Sequence, residues 1–185
     1  MKTSKLVKTL LAAGLMAGVA GVAHAGSATG NIAVSASVAQ ACTITANPVA
    51  FGAYDPIVTN ASTPLEATGT LAITCTKGAT SVWVSLGNGS YYSGGRRMQG
   101  ATTTSDYLNY ELYLPTAATP AATCGTPHSS GTAWYATNGT NTLNPASTAW
   151  DGTSKSFNVC GTVAAGQSSV SAQNYADTVV ATVNF

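Results

Sequence analysis

The chain has 185 residues, only 7% of them charged, and a formal net charge of +1. An average soluble domain is about a quarter charged. With so few Lys and Arg, and no cluster of them, an electrostatically driven nucleic-acid binder is excluded. Gly, Ser, Thr and Asn interrupt the apolar residues almost everywhere, the composition of many short strands joined by tight turns.

Residues 1–25 read as a signal peptide and not as part of the fold. Lys2, Lys5 and Lys8 make a positive start, Leu10 to Ala23 an apolar run, and Ala23-His24-Ala25 a cleavage site. The exported chain is then residues 26–185, with four cations against six acids, a net charge of −2. No later segment is long and apolar enough to span a bilayer, so no membrane span is expected in it.

In residues 26–41 every even position from Ala28 to Val38 is apolar or Gly. Ala28, Gly30, Ile32, Val34, Ala36 and Val38 fall on one face, Ser, Thr, Asn and Ala on the other. That is the period of a strand with one buried face. On periodicity alone it reads as an ordinary first strand of its own domain. It precedes the first cysteine, so no disulfide ties it down.

Cys42, Ile44 and Ala46 continue the alternation until Pro48 interrupts. Phe51 and Tyr54 flank Gly52, Asp55-Pro56 is a turn, and residues 57–68 read as a loop or edge. Leu71, Ile73 and Cys75 then share a face, as do Val82, Val84 and Leu86 further on. Gly94-Gly95-Arg96-Arg97 reads as a solvated turn leading into a strand. Residues 107–114 are the most aromatic strand, with Leu108, Tyr110, Leu112 and Leu114 in step. Residues 115–153, rich in Pro, Ala and Thr, read as a long loop with short edge strands. Phe157, Val159, Gly161 and Val163 mark another strand. The last is residues 175–185, with Val179, Ala181, Val183 and Phe185 on one face. No helical period appears after residue 25, so the fold class is all-β, a sandwich of short strands.

The four cysteines, Cys42, Cys75, Cys124 and Cys160, suit an exported protein. Four cysteines allow three connectivities. Sequential pairing gives two local loops, and closing the first contributes about 3.5–4 kcal/mol in the chain-entropy model. Cys42 and Cys75 each end an alternating run, as cross-strand staples do. There is no CxxC, and His128 is the only histidine after the signal peptide, so neither a metal site nor a cofactor is indicated.

Catalysis finds little support. His128 sits in a Thr-Pro-His-Ser-Ser loop and reads as solvated. No G-x-S-x-G elbow occurs. The acids Asp55, Glu66, Asp106, Glu111, Asp151 and Asp177 are scattered, without the close pairing that would signal a glycosidase. The expectation is a non-enzyme.

Several stretches together carry a resemblance. They are the alternating segment ending in Ala41-Cys42, Phe51-Gly52, and Gly69-Thr70-Leu71-Ala72-Ile73-Thr74-Cys75. Leu108-Asn109-Tyr110-Glu111-Leu112-Tyr113, Val163-Ala164-Ala165-Gly166-Gln167 and Tyr175-Ala176-Asp177-Thr178-Val179 complete the set. In this order and spacing the chain resembles the spore coat protein U domain family, the subunits of Csu-type (archaic) chaperone–usher pili. It departs in residues 115–153, where the family's Trp-Gly-Asp-Gly stretch has its nearest analogue in Trp150-Asp151-Gly152. A second cysteine pair occurs only in some members.

The resemblance implies an incomplete immunoglobulin-like sandwich of six strands, missing its last strand. A donor strand from another subunit would complete it. Residues 26–41 become the donor segment, with Ala28, Gly30, Ile32, Val34, Ala36 and Val38 entering pockets, and residues 42–185 the pilin domain. Val179, Ala181, Val183 and Phe185 would line the acceptor groove. The implied partners are identical or related pilin subunits, a periplasmic chaperone and an outer-membrane usher. The implied location is a cell-surface pilus reached through the periplasm, with a rod role in adhesion and biofilm formation. The competing expectations are a secreted spore or cell-surface coat protein, and a monomeric carbohydrate-binding sandwich with Trp134, Trp150, Tyr91 and Tyr92 as its aromatic platform.

Overall fold

A computed structural model of the chain describes residues 25–135 and 141–185. Apart from Ala25, the expected signal peptide lies outside the described residues. The chain divides into two units, Met1–Ser37 and Val38–Phe185. In the first, the described residues 25–37 are all exposed and belong to no helix or strand. The alternating pattern of residues 26–41 therefore forms no strand of its own domain before Cys42.

The second unit is all-β. Its strands are β1 (Cys42–Asn47), β2 (Leu65–Cys75), β3 (Trp83–Leu86), β4 (Arg97–Gly100), β5 (Tyr107–Tyr113), β6 (Ser154–Val163), β7 (Tyr175–Ala176) and β8 (Ala181–Asn184). They form a six-stranded sheet in the order β1-β2-β6-β5-β4-β7 and a two-stranded sheet β3-β8. Every pairing is antiparallel. One short 3-10 turn, His128–Ser130, interrupts the β pattern.

The alternation read from the sequence is the burial pattern. In β2, Gly69, Leu71, Ile73 and Cys75 face inward, and in β5, Leu108, Tyr110 and Leu112. β2 begins at Leu65, so the last residues of the expected 57–68 loop are already strand. β6 breaks the alternation, because Val159 to Val163 are all buried. The loop from residue 114 to 131 covers its outer face. Cys124 bonds Cys160 there, and the Asn158 amide donates to the Ala122 carbonyl at 2.9 Å. A strand covered on both faces has no polar side to show.

Both disulfides are the sequential ones. Cys42 and Cys75 stand directly opposite in the β1–β2 ladder, with Cα atoms 4.1 Å apart. Cys124–Cys160 staples the loop to β6.

Two corrections concern the long loop and the arginine turn. Trp134 is 0% exposed, and its indole N–H donates to the Val84 carbonyl at 3.0 Å. Trp150 packs buried against Phe157. These indoles fill the space between the sheets, each burying on the order of 200 Å². Two of the four residues expected in an aromatic platform, Trp134 and Trp150, thus belong to the core, while Tyr91 is half-buried and Tyr92 is exposed. Arg96, expected in a solvated turn, is 1% exposed. Its guanidinium pairs with Glu111 and lies over the Tyr135 ring. It also donates to the carbonyls of Leu86, Gly87 and Trp134. A buried charge is tolerable only when so fully partnered.

Candidate functional site

A cavity of about 370 Å³ runs between two walls. One is the end of β1 and the chain after it, from Ala46 to Phe51. The other is Asp177, Thr178, Val179 and Ala181. Its floor is core: Leu71, Leu86, Met98, Tyr110, Leu112 and Val159. A second cavity of about 750 Å³, lined from Val49 to Ile57 and from Ser168 to Tyr175, shares Val49, Phe51 and Met98 with the first. The two cavities adjoin at those three side chains.

The two walls are not hydrogen-bonded to each other among the described residues. β8 pairs with β3 along one edge, from Ala181↔Leu86 to Asn184↔Trp83. Among the described residues no strand pairs with its other edge, and β1 pairs only with β2. Exposed apolar side chains and free backbone groups at one place are the conditions for accepting another strand.

Glycines shape the place where the cavities adjoin. A Cβ on Gly161 would lie 2.5 Å from Val49 and 2.7 Å from Phe51, and one on Gly69 would lie 2.7 Å from Val49. The bare backbone of β2 and β6 makes a notch into which Val49 and Phe51 settle. Phe51 then meets the Tyr110 ring edge-on at 6.2 Å between centroids. The Phe51-Gly52 pair of the sequence is thus a wall of the groove.

Asp177 is the one charged side chain lining the first cavity. Its Oδ1 accepts from the backbone N–H of Ser90 at 2.8 Å and of Thr178 at 2.7 Å. Its Oδ2 accepts from the Tyr110 hydroxyl at 2.6 Å. Burial, and then the adjacent carboxylate, push the Tyr110 phenol well above its ordinary range. Tyr135 is pushed up to about 12, first by burial and then by its hydrogen bond to Glu111.

The expected site residues are placed as follows. Val179 and Ala181 line the cavity, Val183 is half-buried against the core, and Phe185 is 54% exposed. Ile32, Val34 and Val38 are 89%, 90% and 85% exposed. Ala28, Gly30 and Ala36 are exposed as well. The body begins to hold the chain just after Val38. The Gln40 amide exchanges two hydrogen bonds with the Thr80 backbone at 2.9 and 3.0 Å.

The residues weighed for catalysis have structural partners. His128 is half-buried, not solvated. Its Nδ1 lies 3.0 Å from the Gly161 carbonyl, and its backbone N–H donates to Glu66 at 2.6 Å. Asp106 accepts from the Ser171 N–H at 3.1 Å, and Asp151 from Thr153 and Lys155. Those bonds, the Thr153 hydroxyl first, hold Asp151 well below the carboxylate range. Asp55 is also lowered, by accepting from the backbone of Val58 and Ile57. Arg97 stacks on Tyr107 at 3.8 Å. The sequence pattern missed Ala46 to Val49 as a groove wall. Pro48 marked a break in the strand, and the glycine notch opposite it is a tertiary feature.

A family model described as the Spore Coat Protein U domain matches residues 28–182. The chain belongs to the Spore Coat Protein U domain family. The family is structural and not enzymatic. "Protein U" of Myxococcus xanthus is 35% identical over 176 residues, covering 88% of each chain. Among solved structures, one similar chain lies in the CsuC–CsuE chaperone–tip adhesion subunit pre-assembly complex of archaic chaperone–usher Csu pili from Acinetobacter baumannii. It is 24% identical with a TM-score of 0.46, over 80% of this chain and 40% of that one.

Proposed function

We propose that the chain is a structural subunit, a rod pilin, of a chaperone–usher pilus, and that it polymerises by donating residues 26–41 to the groove of the next copy. The observation that carries this is a complementarity within one sequence. The body has an apolar groove bordered by the free edge of β8, and the same chain carries an alternating, wholly exposed segment with Ile32 and Val34. The groove lacks one strand, and the segment lacks a sheet. An inserted strand would pair its backbone with β8 and bury alternate side chains over Leu71, Met98 and Tyr110. Before assembly the groove would aggregate, so a periplasmic chaperone would cover it until an outer-membrane usher exchanges it for the donor. The pilus would serve surface attachment and biofilm formation.

The test is an unboiled denaturing gel of protein sheared from cells, wild type beside a deletion of residues 26–37. The deletion stops short of the Gln40–Thr80 pair. A ladder of multimers in wild type, collapsing on boiling and missing in the deletion, supports strand donation. A monomer in both lanes favours a second reading, a coat protein that needs no strand exchange. The 35% identity to Protein U is the observation in its favour.

A further inference from the structure

We propose that Asp177 is a positioning residue for assembly: it holds residues 177–180 at the groove wall in the form that a donated strand pairs with. The proposal rests on the strand-exchange reading above and adds to it what prepares the acceptor.

Residues 177–180 lie between β7 and β8 and belong to neither. Yet Asp177, Thr178 and Val179 line the cavity. Ladder bonds do not set their place, so other bonds must. Asp177 gathers three of them: from Ser90 N–H, from Thr178 N–H, and from the Tyr110 hydroxyl rising from the floor. Gly89 shows that the neighbouring loop is shaped around this carboxylate. Its φ is +90°, and a Cβ there would lie 2.1 Å from Oδ2. No other residue type fits that conformation and that space.

The loop supplies two further ties. Ser90 Oγ donates to the Thr178 carbonyl at 3.3 Å, and Gly87 N–H donates to the Val180 carbonyl at 2.8 Å. Gly87 is itself held, because the buried Arg96 guanidinium donates to its carbonyl at 3.1 and 2.7 Å. Apart from the Thr178 N–H bond, which lies within the segment, these bonds come from the 87–90 loop or from the floor. None comes from the Ala46–Phe51 wall, so the segment is fixed while the groove stays open. A segment left free would have to be ordered by the incoming strand, and affinity would fall accordingly.

The experiment uses the full-length exported chain refolded to monomer at high dilution. A labelled peptide of residues 26–40 is titrated into wild type, Asp177→Ala, Asp177→Asn and Tyr110→Phe, all at a temperature where each is fully folded. Hydrogen exchange is followed at residues 177–180. The expected result is peptide binding weakened at least about tenfold in Asp177→Ala, with faster exchange confined to 177–180. Asp177→Asn, which keeps an acceptor, is expected to recover part of the loss, and Tyr110→Phe to weaken binding several-fold. Wild-type binding in both Asp177→Ala and Tyr110→Phe overturns the proposal. If Asp177→Ala does not fold, Tyr110→Phe decides alone, by weakened or unchanged binding. If the wild type captures no peptide, the strand-exchange reading fails. Unchanged exchange at 177–180 in the folded variants then overturns the positioning role separately.

Discussion

Two ends of this chain carry the same pattern and meet opposite fates. In residues 28–38 and in residues 179–185 every second residue is apolar or Gly. The C-terminal stretch finds a sheet: β8 pairs with β3, and Val179, Ala181 and Val183 rest against the core. The N-terminal stretch finds none, and Ile32 and Val34 stay nine-tenths exposed. Period-2 alternation states that a segment wants a sheet. It does not state which chain supplies it. What separates the two ends is what lies next to them, since β8 borders a groove whose other wall is not a paired neighbour.

The first way to sharpen this comparison is the disulfide that begins where the free segment ends. Replacing Cys42 and Cys75 by Ser is expected to lower the body's stability by about 3–4 kcal/mol, measured by denaturant unfolding. No comparable change is expected from deleting residues 26–37. If the deletion destabilises the body as much, the segment belongs to its own fold and the comparison fails.

Next are matched substitutions at the two ends. Ile32→Asp is expected to abolish multimers, because an unpaired carboxylate would enter an apolar groove. The monomer's melting temperature should stay the same. Val183→Ala, in contrast, is expected to cost the monomer about 1–2 kcal/mol, the lost burial plus a small cavity. Equal effects of both on the monomer would contradict the account.

A smaller effect concerns alkali. Tyr110 has a raised folded pKa, so the folded state holds a proton that the unfolded state loses near its ordinary pKa of 10.0. Its contribution is therefore complete below about pH 10 and declines as pH rises above that. Tyr110→Phe is expected to flatten the loss of stability in that range, read from denaturation midpoints at pH 9 to 11. An unchanged slope would place the titration elsewhere. The smallest effect is local. Asp55 is lowered by the backbone of Val58 and Ile57. Its contribution is present above the unfolded value of 3.8 and is lost as pH falls below it. The protection of the Ile57 and Val58 amides, taken relative to their intrinsic exchange rates, should fall there while the core stays protected.

The strands with one buried face were legible because burial follows the period: β2 and β5 show it residue by residue. β6 was legible through Phe157, Val159 and Val163, although the stapled loop buries its other face too. Three things were hidden. Arg96 looked solvated because sequence shows a charge but not its partners, and Glu111 and the carbonyls of Gly87 and Trp134 arrive from distant elements. The place of Trp134 and Trp150 was open, as candidates for a platform in the competing carbohydrate-binding reading, because they sit in a polar stretch, while the space they fill is made by β3 and β6. The Val49–Phe51 wall depends on the notch at Gly69 and Gly161, which no local pattern announces. Alternation put Val179 and Ala181 on one face, and both line the cavity, whereas Asp177 was passed over because its partners lie at Ser90 and Tyr110.

The most direct measurement is a cross-link between copies. The native cysteines are all paired, so introduced ones report cleanly. One copy carries Ala181→Cys, and the other a single cysteine at each position from Gly30 to Ala36 in turn. Both are expressed together, and dimers are scored on a non-reducing gel. The account predicts reducible dimers from even positions only, those whose side chains enter the groove beside residue 181, with a maximum at one of them. No dimer at any position, or dimers from odd and even positions alike, would contradict it.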